Sequence, residues 1–331
     1  MTPRNYREAQ IQGVQAATRV HAELAVNRPD DVSGRVNVFR SIDERGIALL
    51  FRPLDGLLGL CLRDPCPGVL VTTGRSLPVQ RFTAAHELGH LEMGHDFSLD
   101  SEEQILRPRG ASPKMLQEVA ANAFGAEFLM PKSLLRRIME RYRWNAGDLG
   151  DPRAVYQLSL RVGVSYQAMC VSLIRHKWID QQTLDRLMKT SPKTIKAHLL
   201  DGVVLEDPWA DVWSLSEADH DGEIEAGPND IFLLKLREHG GSGYLWNADD
   251  LVRLGFIVER HEGPLAVETV GSALTRCWKI SADFPSEGYL NLEERRPWQA
   301  DDVIGQFNLA YSLWGKEAGI PRFQRPLLRA A

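Results

Sequence analysis

Apolar side chains return every three or four positions between residues 4 and 25 (Ile11, Val14, Ala17, Val20, Leu24). That spacing places them on one face of a helix, which Asn27 and Pro29 close. A shorter helix over 36–45 stops at Gly46, a natural left-handed cap. The pattern then tightens into three apolar runs, 47–52, 57–62 and 68–73, separated by Pro, Gly and Asp, and these predict strands. Helical spacing resumes after Pro78 and lasts to about Met93. Residues 100–113 read as loop, 114–129 as a helix ended at Pro131, and 132–142 as a further helix. Residues 151–200 are helical with a break at Gly163 and an N-cap at Ser165. From Val203 onward the texture becomes short alternating runs: 231–236, 244–246, 256–260, 265–270, 276–281, 288–294 and 304–314. Turn residues separate them, as in a β-sandwich or barrel. The expected organisation is α+β in three modules: 1–145 mixed, 146–202 helical and 203–331 all-β.

A chain of 331 residues suits two or three domains, each able to bury its own core. The net charge of -5 is uneven: residues 151–200 hold eight Lys/Arg against three Asp/Glu, and residues 201–331 hold twelve against twenty-three. A mildly basic middle and an acidic C-terminal part follow. No apolar run approaches 18 residues, so no membrane span is expected. The polar N-terminus carries no export pattern, and the scattered Cys61, Cys66, Cys170 and Cys277 read as reduced thiols of a cytoplasmic protein.

The chemistry concentrates in His86-Glu87-Leu88-Gly89-His90. Two His at i and i+4 project from one helix face and can share one Zn²⁺, while Glu87 is placed to act as general base. Phe82, Ala85, Leu88, Gly89 and Leu91 surround the motif, so its helix should be buried. A catalytic zinc needs a third protein ligand. Met93 and Asp96 stand where a Gly and a third His would be needed, which leaves a carboxylate from a second helix. Glu118 is preferred, with Glu127 as the rival, and Asn122 lies one turn past Glu118 to steady a ligand. His95 is expected to pack or to face substrate. A thiolate from Cys61 or Cys66 could be an additional ligand, but a buried strand position for Cys61 and a loop position for Cys66 is the preferred reading.

Residues 81–95 (RFTAAHELGHLEMGH) and 118–131 (EVAANAFGAEFLMP) resemble the ImmA/IrrE family of zinc metallopeptidases, a likeness covering about 1–145 and more loosely 200. The resemblance implies a zincin-like helix pair with His86, His90 and Glu118 on Zn²⁺ and Glu87 as catalytic base. It also implies a protein substrate, a helix-turn-helix transcriptional repressor, whose cleavage releases stress, DNA-damage, mobile-element or antiphage defence genes. Residues 154–179 lay out as helix, turn and helix with Arg161, Arg175, His176 and Lys177 nearby. DNA binding is one reading; a structural extension of the peptidase is the preferred one. Residues 240–246, 270–276 and 294–299 resemble, in order and spacing, the three loops of chagasin-like cysteine-peptidase inhibitors, which implies an immunoglobulin-like sandwich. The first of these loops lacks the usual Asn-Pro-Thr-Thr. Tyr244, Trp246, Arg296 and Trp298 would then form a partner-binding edge, or the two Trp would plug the sandwich end. The competing class is a DNA-binding or sensor regulator with a non-catalytic metal site.

Overall fold

The computed structural model describes residues 3–26, 34–95, 98–101, 113–203, 205, 207–261 and 274–326. The first module comprises α1 (Pro3–Glu23), α2 (Val38–Glu44), β1 (Ala48–Arg52), β2 (Leu57–Leu62), β3 (Gly68–Thr72), α3 (Leu77–Glu92), β4 (Ser98–Ser101), α4 (Pro113–Leu129) and α5 (Lys132–Arg141). Its sheet runs β1-β3-β2-β4, with β1 and β3 parallel and the other pairs antiparallel. β4 falls partly in the stretch read as loop. Its sequence, SLDS, has no apolar alternation, and pairing with β2 alone makes it a strand.

Helix α3 lies against β2 and β3 on one side and against α4 and α1 on the other. That explains why Ala84, Ala85, Leu88 and both polar ends of the His-Glu motif are buried together. α1 and α4 approach closely because residue 13 is glycine: a Cβ there would sit 2.0 Å from the Ala120 carbonyl oxygen.

The helical module contains α6 (Pro152–Val162), α7 (Tyr166–Arg175), α8 (Gln181–Lys189) and α9 (Pro192–Leu199). Gly163 ends α6 at φ 75°, and the Ser165 hydroxyl accepts from Ala168 N–H to open α7, as the sequence predicts. Val155, Leu158, Met169 and Leu173 join the same core as Leu49, Val71, Leu88 and Phe124, so the first 200 residues share one apolar interior.

The C-terminal module holds β5 (Val212–Ser216), β6 (Gly222–Glu225), β7 (Ile231–Glu238), β8 (Leu245–Asn247), α10 (Asp249–Arg253), β9 (Ile257–Arg260), β10 (Leu274–Ser281), β11 (Glu287–Arg296) and β12 (Gln299–Ser312). They form two sheets, β5-β7-β10-β9 and β6-β12-β11-β8. Leu234, Trp278 and Ile280 from one sheet and Leu290, Leu292, Phe307 and Leu309 from the other build one core. The region is thus two-layered as expected, except that residues 249–253 are helical. The strand expected at 265–270 lies outside the described residues.

The modules interlock through buried polar groups. Arg161 pairs with Asp219 at 3.0 Å under the Tyr142 ring. Arg81, on α3, pairs with Glu225 of β6 at 2.5 Å and donates to the Gly163 carbonyl at 3.3 Å. Past β12 the chain leaves the sandwich and returns to the first module. Gly319 exchanges backbone hydrogen bonds of 2.7 and 2.8 Å with Phe51 of β1. Gln80, on α3, donates to the Glu317 carbonyl at 2.9 Å and accepts from its N–H at 2.8 Å.

Candidate metal centre

The helix α3 carries His86 and His90 one turn apart, and α4 brings Glu118 across from them; all three are buried. The two Nε2 atoms stand 3.0 Å apart, and the Glu118 carboxylate reaches them at 3.3 and 3.7 Å. A tetrahedral Zn²⁺ site with bonds of about 2.0–2.1 Å has ligand–ligand edges of about 3.3 Å. The spacings lie near that edge, with each Glu118 oxygen facing a different imidazole, so the three side chains could hold one metal ion. Among the described residues, these are the His, Cys, Asp or Glu side chains whose donor atoms converge in this way.

Each imidazole is held from behind. His86 Nδ1 lies 3.0 Å from Asn122 Oδ1, and with Nε2 facing the metal position Nδ1–H donates to that oxygen. His90 Nδ1 lies 3.0 Å from His95 Nδ1, and the same tautomer makes His90 the donor. His95 thus packs against His90 behind the donor cluster, a contact that the sequence reading did not foresee. Burial and the neighbouring His90 push the His95 imidazole down to about 4, so at neutral pH it remains an uncharged acceptor. Its separation from His90, five residues against a helical turn of 3.6, hides the contact in a helical reading. The helix ends at Glu92, and Gly94, at φ 72°, turns the chain so that His95 folds back.

Burial opposes the charge of Glu118, yet the adjoining His86 and His90 hold its carboxyl well below the usual carboxylate range. Glu127, the rival ligand, instead pairs with Arg175 at 3.2 Å. Glu87 is buried beneath β2, where Gly59 leaves room for it: a Cβ at Gly59 would fall 2.9 Å from Glu87 Oε1 and 2.5 Å from Thr83 Cγ2. Cys61 is buried in the core and Cys66 is exposed, and neither joins the donor cluster.

A cleft of about 830 Å³ opens beside the site, walled by α1, α3, α4 and α7. Thr83 and Asn122 are among its lining residues, and Asn122 also bonds His86. The helix of the helix-turn-helix pair that would read DNA, α7, is therefore a cleft wall. Of the basic side chains noted there, Arg161 pairs with Asp219, Arg175 with Glu127, and His176 bonds the Met130 carbonyl.

In the C-terminal module the two described loops meet. The Arg296 guanidinium lies 4.4 Å over the Tyr244 ring, and both side chains bond Asp302. Trp298 is 72% exposed and packs on Gly243, whereas Trp246 packs against the core and donates to the Arg237 carbonyl. Of the two Trp, Trp246 is thus the one packed against the core. Of the second loop motif, 270–276, residues 270–273 lie outside the described residues, and β10 starts at Leu274 beside Glu238.

Residues 42–173 match the peptidase family model described as the IrrE N-terminal-like domain. No curated protein matches the chain. Solved structures that resemble it include a cysteine protease inhibitor from Entamoeba histolytica, at 15% identity and a TM-score of 0.25, covering 32% of this chain and 99% of that one. Amebosin aligns at 25% identity and a TM-score of 0.25, covering 31% of this chain and 97% of its own. A Mycobacterium tuberculosis transcriptional regulator aligns at 14% identity and a TM-score of 0.35, covering 83% of this chain and 80% of that one.

Proposed function

We propose that this chain is a zinc-dependent endopeptidase that cuts a helix-turn-helix transcriptional repressor in the cytoplasm and so releases stress or defence genes. One observation carries the enzymatic part: two imidazoles and a carboxylate converge at tetrahedral spacing with Glu87 buried beside them. The match to a peptidase family model over the same residues supports it. A bound Zn²⁺ would supply Lewis acidity toward water and toward the scissile carbonyl. His86, His90 and Glu118 would hold it, with Asn122 and His95 fixing the ring tautomers. Glu87 takes the proton of the attacking water on a carboxylate oxygen and passes it to the departing amide nitrogen.

The repressor as substrate rests on the resemblance of residues 81–131 to the ImmA/IrrE family and on the acidic C-terminal part, which attracts a basic partner. The immunoglobulin-like sandwich with its loop end would serve as the capture surface.

The test is Glu87→Gln in the full chain. The variant keeps one zinc per chain and loses cleavage, because a carboxamide cannot accept the water's proton. Wild-type cutting by the variant would refute Glu87 as the base. Zinc-loaded wild type that cuts neither repressors nor peptides would refute the enzymatic reading, and a promoter footprint in its place would favour a DNA-binding regulator.

A further inference from the structure

Helix α3 is held at its two ends by different parts of the chain. At its C-terminal end the first module grips it: Arg63 donates to the Leu91 carbonyl and Arg19 to the Glu92 carbonyl, each at 3.1 Å. Both of these arginines are exposed. At its N-terminal end the grip is buried and comes largely from the C-terminal part of the chain. The Gln80 amide, fully buried, donates to the Thr72 carbonyl at 3.0 Å and to the Glu317 carbonyl at 2.9 Å. It also accepts from the Glu317 N–H at 2.8 Å. Arg81, buried beside it, pairs with Glu225 at 2.5 Å, and Arg35 pairs with the same carboxylate at 2.9 Å. Glu317 is fixed in turn by Arg322 at 2.9 Å and Arg325 at 3.3 Å, and Lys316 donates to the Thr73 carbonyl at 3.0 Å.

We infer that Gln80 and Arg81 are positioning residues of the metal centre, and that the C-terminal module clamps them, through Glu225 and the strap 315–325, to set the rotation of α3. The inference rests on the proposed peptidase activity for its kinetic readout alone; metal affinity reads it without turnover. Around the motif α3 packs through Ala84, Ala85, Leu88 and Gly89, and burial of such groups is non-directional. The hydrogen bonds and ion pair at residues 80 and 81 supply the direction. Glu87 follows Gln80 by seven residues, about 10 Å along the axis at ~1.5 Å per residue, so the helix carries any rotation at the clamp straight to the motif. Side-chain ends on a helix lie about 5–6 Å from its axis, so a turn of about 10° moves them by ~1 Å. That turn shifts His86 and His90 against Glu118, which α4 carries, and it displaces Glu87 with them. A misplacement of ~1 Å costs about 10²-fold in rate.

The test compares two ways of breaking a buried ion pair between the first 200 residues and the sandwich, in the full chain. Glu225→Gln cuts the clamp on α3, whereas Asp219→Asn cuts the pair with Arg161, a residue of α6. Gln80→Met, which removes all three amide hydrogen bonds, is the second clamp variant. Glu225 has a side chain 21% exposed, and its variant decides the matter alone if Gln80→Met does not fold. Melting temperature, zinc affinity by chelator competition, the visible spectrum of the Co²⁺-loaded chain, and kcat and KM on a peptide are measured where all variants are folded. The clamp variants should lose kcat by about 10- to 100-fold with KM unchanged. They should also bind zinc about tenfold more weakly and show an altered Co²⁺ spectrum. Asp219→Asn should match wild type in kcat, zinc affinity and spectrum, even where its melting temperature falls as far. Equal losses in Asp219→Asn and Glu225→Gln would reduce the clamp to a structural tie, and wild-type zinc affinity and spectrum in the clamp variants would overturn it. If wild type cuts no peptide, the peptidase reading falls, and zinc affinity and the Co²⁺ spectrum still decide the clamp.

Discussion

Gly59→Ala should silence the centre without emptying it. Gly59 is in β2, its backbone is ordinary extended chain, and what it provides is space. A methyl group there would meet Thr83 Cγ2 at 2.5 Å, Glu87 Oε1 at 2.9 Å and the Leu70 carbonyl oxygen at 3.1 Å, against 3.4 Å for ordinary contact. The neighbours must therefore move by 0.9 Å at Thr83 (3.4 - 2.5) and 0.5 Å at Glu87 (3.4 - 2.9). Thr83 is fully buried and the Leu70 oxygen belongs to the paired strand β3, so the strain falls on the separation of β2 and α3. Overpacking of this kind costs about 1–3 kcal/mol of stability. A base displaced by a substantial part of an ångström loses turnover by about 10- to 100-fold, given ~10²-fold for 1 Å. Zinc should stay, because His86, His90 and Glu118 do not touch the new methyl. The assay measures kcat on a peptide that wild type cuts, zinc by atomic absorption, and the melting temperature. Wild-type turnover with unchanged melting would show that the layer has slack. Zinc loss in proportion to activity would show that the helix, and not Glu87, had moved.

Glu118→Ala should abolish stoichiometric zinc binding while Glu127→Ala retains it, since Glu127 is engaged with Arg175; equal retention in both would overturn the ligand assignment. Asn122→Ala and His95→Ala should each weaken zinc by ~10–100-fold in competition with a chelator, because each frees one imidazole to rotate. In the sandwich, burial and Asp211 push the Asp230 carboxyl up to about 6 from 3.8. A folded-state pKa above the unfolded one gives stability that is present below the unfolded value and lost as pH rises toward 6. Asp230→Asn should flatten the change in urea midpoint between pH 4 and pH 6.5, and an unaltered slope would assign that titration elsewhere.

The centre was readable where local spacing encodes it. His86, Glu87 and His90 declare themselves through one helical turn, and Glu118 with Asn122 through another. The buried setting of α3 follows from the small and apolar residues around the motif. What stayed hidden was written in pairs remote from one another. Glu317 meets Gln80 across 237 residues, and Arg81 meets Glu225 across half the chain, so neither leaves a periodic trace. β4 exists by pairing alone, and the short α10 is too brief for periodicity to mark. The contact of His95 with His90 went unseen because the chain leaves helical geometry at Gly94, and an argument from helix faces stops applying there.

The two hydrogen bonds between Gly319 and Phe51 cover the outer side of β1, an edge strand of the first sheet. Uncovered edges are templates for pairing with other chains. The segment that seals this one is made some 260 residues after the strand itself, so until Gly319 is made the nascent sheet keeps an open flank. Protection against aggregation thus comes long after the strand it covers, and the stretch around Gly319 governs the solubility of that sheet. A chain stopped after Trp314 would retain every ligand of the metal centre and still be expected to partition into the insoluble fraction.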